Sequence, residues 1–110
     1  EQAFISVVEL STDGSVVLIS DPSTDMLSVR TAGLVESAES DLELWLIAGD
    51  EAPRSIGLLR DTVSDGVVKG QWAELISTST TLAISVEPKG GSPTGAPTGQ
   101  IIGNATFQAL

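Results

Sequence analysis

Every apolar stretch in this sequence is short, and each is closed by Gly, Pro, Asp or Ser. Residues 3–10 are rich in Phe, Ile and Val. Thr12-Asp13-Gly14-Ser15 then reads as a hairpin turn, because Asp-Gly supplies the positive φ that tight hairpins use. Residues 16–19 return as the second strand, and Asp21-Pro22-Ser23 ends it. Residues 26–31 alternate Leu27, Val29 and Thr31 against Ser28 and Arg30, a period of two. Residues 42–48 place leucine at 42, 44 and 46 with Glu43, Trp45 and Ile47 between, so both faces of this strand's centre are apolar and it belongs in the middle of a sheet. Residues 54–59, 82–86 and 100–107 complete the main set, and 67–72 offer one more. The spacing predicts an all-β protein, an antiparallel β-sandwich of about seven to eight short strands. A parallel α/β sheet needs crossovers of roughly a dozen residues or more, and the chain has no room for them.

Two places lean towards helix. Leu34, Ala38 and Leu42 recur every fourth residue, with Glu36, Glu39 and Asp41 on the other side, which leaves a short helix as the alternative there. Residues 72–76 fit a single helical turn. Asp65-Gly66 marks another turn. Pro53 stands just before a strand, where a missing N–H does least harm.

The length of 110 residues suits one domain, residues 1–110, and the apolar fraction of 41 % is enough for a real core. Five basic and fifteen acidic residues give a net charge of −10, which repels nucleic acid and anionic membranes. His, Cys and Tyr are absent. Disulfides, Cys/His zinc sites, histidine-ligated haem and Ser-His or Cys-His nucleophile pairs are excluded with them. The chain begins at Glu1 and holds no apolar run of about 18 residues, so it reads as a piece of a longer protein whose targeting segments lie elsewhere.

The remaining candidates for chemistry all favour structural readings. The glycines of 89–99 invite a phosphate loop, but Gln100-Ile101-Ile102 follows the last glycine where Lys and Ser/Thr at a helix start are required. Ser92-Pro93-Thr94-Gly95 and Ala96-Pro97-Thr98-Gly99 instead match two successive type I turns, with Pro second and Gly fourth. The stretch 61–66 has two acids and a glycine, but lacks the alternating oxygen ligands and closing Glu of a calcium loop, and is expected to be a surface turn. Glu36, Glu39, Asp41 and Glu43 are expected to form a solvated acidic edge. Paired carboxylates for glycoside hydrolysis would need sugar-stacking aromatics, and only Trp45, Trp72, Phe4 and Phe107 are present. Asn104-Ala105-Thr106 matches the glycosylation acceptor, a pattern common by chance. Trp45 is expected in the core. Ser85, between Ile84 and Val86, reads as a small strand residue rather than a nucleophile. No metal, no cofactor and no catalytic residue is expected.

Two segments resemble the signatures of the anti-sigma-K factor family. The first is Leu42-Glu43-Leu44-Trp45-Leu46-Ile47, followed by Ala52-Pro53-Arg54-Ser55-Ile56-Gly57-Leu58-Leu59. The second is Leu82-Ala83-Ile84-Ser85-Val86-Glu87-Pro88-Lys89-Gly90-Gly91-Ser92-Pro93-Thr94-Gly95-Ala96-Pro97-Thr98-Gly99. Together they cover about a third of the chain in the family's order. Lys89 and Gln100 stand where the family has alanine and proline, and residues 1–41 match only in style. The resemblance implies a bacterial membrane protein with a cytoplasmic sigma-binding region, one transmembrane helix and this C-terminal domain on the extracytoplasmic (periplasmic) side. It implies control of an extracytoplasmic-function sigma factor through regulated proteolysis by an envelope protease. The family supplies no catalytic residues, and the matching positions are expected to be structural. A β-sandwich module that binds an envelope ligand or protein is the alternative, favoured by a pocket lined by Trp72 or the Pro-Thr-Gly segment.

Overall fold

The computed structural model describes residues 2–35 and 37–110. The chain forms two antiparallel sheets packed face to face. The strands are β1 (Phe4–Glu9), β2 (Ser15–Ser20), β3 (Met26–Ala32), β4 (Ser40–Ala48), β5 (Arg54–Leu58), β6 (Val67–Val68), β7 (Thr80–Pro88), β8 (Ile101–Thr106) and β9 (Gln108–Ala109). One sheet runs β6-β3-β2-β1-β9 and the other β5-β4-β7-β8. This is the predicted all-β sandwich. Seven strands have five or more residues, and two are two-residue edge pairings.

Alternation explains the core. Val8 of β1, Val16 and Leu18 of β2, and Leu27 and Val29 of β3 point inward from the first sheet. Leu44 and Leu46 of β4, Leu82 and Ile84 of β7, and Ile102 of β8 meet them from the second. Each such buried side chain contributes about 1.5–3 kcal/mol. Phe107, 1 % exposed, lies where the chain leaves β8 for β9 and so passes from one sheet to the other. The crossing is fixed by bonds from Phe107 N–H to Thr80 C=O (3.0 Å) and from Leu110 N–H to Ala3 C=O (2.9 Å).

Three local expectations are corrected. Residues 59–65, taken as the end of a strand and a surface turn, form a helix, α1 (Leu59–Asp65). It has no side-chain N-cap. It holds because Leu59 and Thr62 are buried one turn apart, and Thr62 Oγ1 bonds Leu59 C=O at 3.0 Å. The glycine of Asp65-Gly66 ends that helix, with Gly66 N–H on Thr62 C=O at 3.0 Å. The strand proposed over 67–72 stops at Val68, and a 3-10 helix follows over Gly70–Leu75, where a helical turn was expected from 72. No helix forms over 34–42 among the described residues. β4 starts at Ser40, since the alternating leucines are worth more in the sheet than as one helix stripe. Glu36 lies outside the described residues.

Inward-pointing leucines leave the odd-numbered side chains on the outer face of the second sheet. Asp41, Glu43 and Trp45 of β4 stand there beside Glu87, Ser85 and Ala83 of β7, paired directly across the two strands. All six are buried. The solvated acidic edge is therefore corrected. Glu39 is exposed, but Asp41 and Glu43 are only 6 % and 7 % exposed.

Candidate functional site

What buries that outer face is the connector between β7 and β8, residues 89–100, which folds back across the sheet it links. Most of its backbone N–H groups have no partner in the strand ladders and need acceptors. The carboxylates of β4 and β7 supply them. Gly90 N–H donates to Asp41 Oδ2 and Ser92 N–H to Glu43 Oε1, each at 2.8 Å. Thr98 N–H donates to Glu87 Oε2 at 3.1 Å and Gly99 N–H to the same oxygen at 3.3 Å. Thr98 Oγ1 donates to Glu87 Oε1 at 2.5 Å. Three carboxylates on adjacent strands thus hold the connector at both ends.

Side chains from β4, β5, β7 and α1 complete the cluster. Trp45 Nε1 donates to Ser85 Oγ at 2.8 Å, and Ser85 Oγ donates to Glu87 Oε2 at 2.6 Å. Trp45 has no exposure, yet it stands apart from the hydrophobic cluster between the sheets. It is buried as expected, but on the opposite face of the sheet, under the connector. Ser85 is more than the small filler that its neighbours suggested, since it joins the indole to the carboxylate. Ser55 Oγ donates to Glu43 Oε2 at 2.5 Å and accepts Gly57 N–H at 3.2 Å. Pairing between β4 and β5 shifts register here, with Leu44 opposite Gly57 and Trp45 opposite Ser55, so Ile56 is the extra residue of a bulge. Arg60 of α1 forks onto Asp41, Nε to Oδ1 at 2.8 Å and Nη2 to Oδ2 at 3.3 Å.

The donors determine the electrostatics. The Arg60 guanidinium, helped by Gly90 N–H, holds the Asp41 carboxyl below its usual range. Burial pushes Glu87 up, but the donors of Ser85, Thr98 and Gly99 together outweigh it, and the net direction is down. Both groups are ionised acceptors with their lone pairs committed. Among the described residues, no buried side-chain nitrogen or oxygen lacks a partner, and no three acidic side chains come together as a metal could use them.

Two glycines of the connector are placed where a side chain does not fit freely. A Cβ at Gly99 would stand 1.6 Å from Val86 C=O, where the chain crosses β7 and Val86 N–H bonds Gln100 C=O at 2.9 Å. At Gly91, φ is +107° and a Cβ would meet Glu43 Oε1 and Leu58 Cδ2, both at 3.2 Å. The Pro-Thr-Gly units, expected as type I turns, are held by side chains rather than by closing backbone bonds. Neither closes with a backbone bond from its fourth residue to its first. In the first unit, Ser92 Oγ accepts Thr94 N–H at 3.2 Å and donates to Ala96 C=O at 2.5 Å. In the second, the Gly99 N–H that would close the turn is on Glu87 instead. Pro93, Thr94, Gly95 and Ala96 form its exposed crest, and Pro97 is half-buried.

The other signature positions lie around this cluster. Leu44 and Leu46 form the inner face beneath it. Pro53 is half-buried before β5, Arg54 is exposed and 3.8 Å from Glu51, and Pro88 is the exposed end of β7. A cavity of about 580 Å³ adjoins this cluster at the end of the second sheet, lined by Asp41, Arg60 and Lys89 together with Leu34, Ala38 and Leu42, and neither Trp72 nor the Pro-Thr-Gly segment lines it.

These features define an antiparallel β-sandwich with one outer face closed by its own β7–β8 connector. The family model described as "Anti-sigma-K factor rskA, C-terminal" matches residues 1–101, and the chain belongs to that family. Its role is accordingly regulatory, and a sigma factor is the partner that membership implies. No curated protein and no solved structure matches the chain.

Proposed function

We propose that this chain is the extracytoplasmic, periplasmic-side domain of a membrane-anchored anti-sigma factor, acting as one folded unit that governs when an envelope protease can cut. The sigma factor would be held by a region outside these 110 residues. The observation that carries the reading is the connector closed over Trp45 by Asp41, Glu43 and Glu87. A protease needs an extended, accessible segment, and here even the glycine-rich loop has its N–H groups committed at both ends. The signature residues would then be structural, keeping the domain closed so that a neighbouring segment stays protected. A ligand or partner that binds the closed or the open state differently would shift that protection.

The experiment is a reporter for the sigma factor in cells carrying the full-length protein with Trp45→Ala. Reporter output rises without any inducing signal if the folded domain restrains cleavage. Unchanged output, with the variant domain shown to be unfolded and still attached, overturns the reading. A second reading is an envelope ligand- or protein-binding module, for which the cavity beside Asp41, Arg60 and Lys89 would be the site, although it is not the Trp72 or Pro-Thr-Gly pocket expected. In that reading Trp45→Ala would abolish induction instead of mimicking it.

A further inference from the structure

The two sheets differ on their outer faces. The second is closed by the connector. The first is open, and the centre of it is apolar: Ile5 and Val7 of β1, Val17 and Ile19 of β2, and Met26 of β3 beside Val68 of β6 turn outward, with Ser15, Ser28 and Gln108 as polar neighbours at the edges of the rows. They are in register, Ile5 opposite Ile19, Val7 opposite Val17 and Met26 opposite Val68. Val7 is 48 % exposed and Val68 66 %. An outer face of an antiparallel sheet is ordinarily polar, and a contiguous apolar one marks an interaction surface.

The charges on this face indicate what covers it. Glu9 follows Val7 on β1, and Arg30 stands on β3 opposite Val17, so an acid and a base flank the apolar rows on opposite sides of β2. Both are exposed. Among the described residues, Arg30 is the one basic side chain with neither an ion pair nor a hydrogen bond. Arg54 pairs with Glu51, Arg60 with Asp41, Lys89 approaches Asp41, and Lys69 bonds the Asp21 carbonyl. Glu9 has no ion pair either among the described residues. A chain of net charge −10 repels its own copies. This face is where the charges balance, and its pattern is self-complementary.

We infer that the outer face of the β6-β3-β2-β1-β9 sheet binds a second copy of this chain. A two-fold axis lying in the interface sets Glu9 of each copy against Arg30 of the other and stacks the Val7/Val17 and Ile5/Ile19 rows. This is the isologous arrangement of symmetric dimers, with two sheets packed face to face.

The test is sedimentation equilibrium of the 110-residue chain across a concentration series near physiological salt, with Glu9→Arg and Arg30→Glu made separately. Both positions are exposed, and circular dichroism and melting confirm that the variants fold. The wild-type chain is expected to dimerise. Each variant alone places like charges at both contacts and dimerises on the order of tenfold more weakly. An equimolar mixture restores both pairs at once and recovers the dimer. Val7→Lys, at the centre of the apolar row, gives a monomer. A wild-type chain that stays monomeric to about millimolar concentration overturns the inference and leaves the face to a different protein. A wild-type dimer whose two variants do not rescue each other overturns the proposed pairing.

Discussion

Trp45 and Ser85 are forty residues apart in sequence and share a 2.8 Å hydrogen bond in which neither side chain has any exposure. Ser85 in turn donates its hydroxyl hydrogen bond to Glu87, so the indole, hydroxyl and carboxylate form one directional chain. The largest side chain of the outer face is thereby tied to the anchor of the connector.

Trp45→Phe keeps most of the ring and removes the donor. It should cost about 1–3 kcal/mol, the usual cost of a buried polar group losing its partner. Trp45→Ala should cost about 3–5 kcal/mol. Urea unfolding of the two variants separates the hydrogen bond from the packing. Equal losses would mean that the bond contributes nothing.

Gly99→Ala should open the connector. The added carbon would overlap a backbone carbonyl, which cannot swing aside as a side chain can. A loss of about 1–3 kcal/mol is expected, with new protease cuts confined to residues 92–99. Wild-type resistance in the variant would show that the crossing over β7 relaxes freely.

Amide exchange should divide the connector. The N–H groups of Gly90, Ser92, Thr98 and Gly99, held by carboxylates, exchange slowly, and that of Gly95 at the exposed crest exchanges fast. Uniformly fast exchange over 90–99 would contradict the closed arrangement.

Acid should weaken the same contacts. Asp41 and Glu87 have lowered pKa values, Asp41 chiefly through Arg60, and Glu87 through hydrogen bonds that outweigh its burial. A carboxyl lowered by folding contributes stability that is complete above its unfolded pKa and is lost as pH falls through its folded pKa. Unfolded Asp and Glu titrate near about 3.9 and 4.3. The contribution is therefore constant above about pH 5 and fades below about pH 4. Glu87→Gln should melt at least about 4 °C lower at pH 7, since an amide NH₂ would face donors. That gap should close in acid. A gap unchanged down to about pH 2 would show that Glu87 does not titrate there.

The strands were legible because alternation is local: leucines at 42, 44 and 46 declare a buried face without knowledge of the partner. The helix over 59–65 was not, since it has no side-chain cap and is held by burial of Leu59 and Thr62 where it packs against β3, β4 and β5. Asp41, Glu43 and Glu87 carried a signal that could have been read. An acid at every second position of a strand apolar on both faces needs donors, and a glycine-rich segment has N–H groups to give. The strand periodicity could not say that this segment folds back onto those carboxylates, because the Asp41–Gly90 and Glu43–Ser92 contacts span 49 residues. The Trp45–Ser85 bond is invisible for the same reason.

The carboxylate anchors also set an order of events. Asp41 and Glu43 lie on β4 and Glu87 on β7, so the surface that receives the connector exists only once those strands have paired. Closure is then expected late in folding, on the native side of the barrier. Loosening it, as by Thr98→Val, should leave the refolding rate almost unchanged and accelerate unfolding by nearly the whole stability loss. The lifetime of the closed domain is thus adjustable at the connector without changing how fast the sandwich is made.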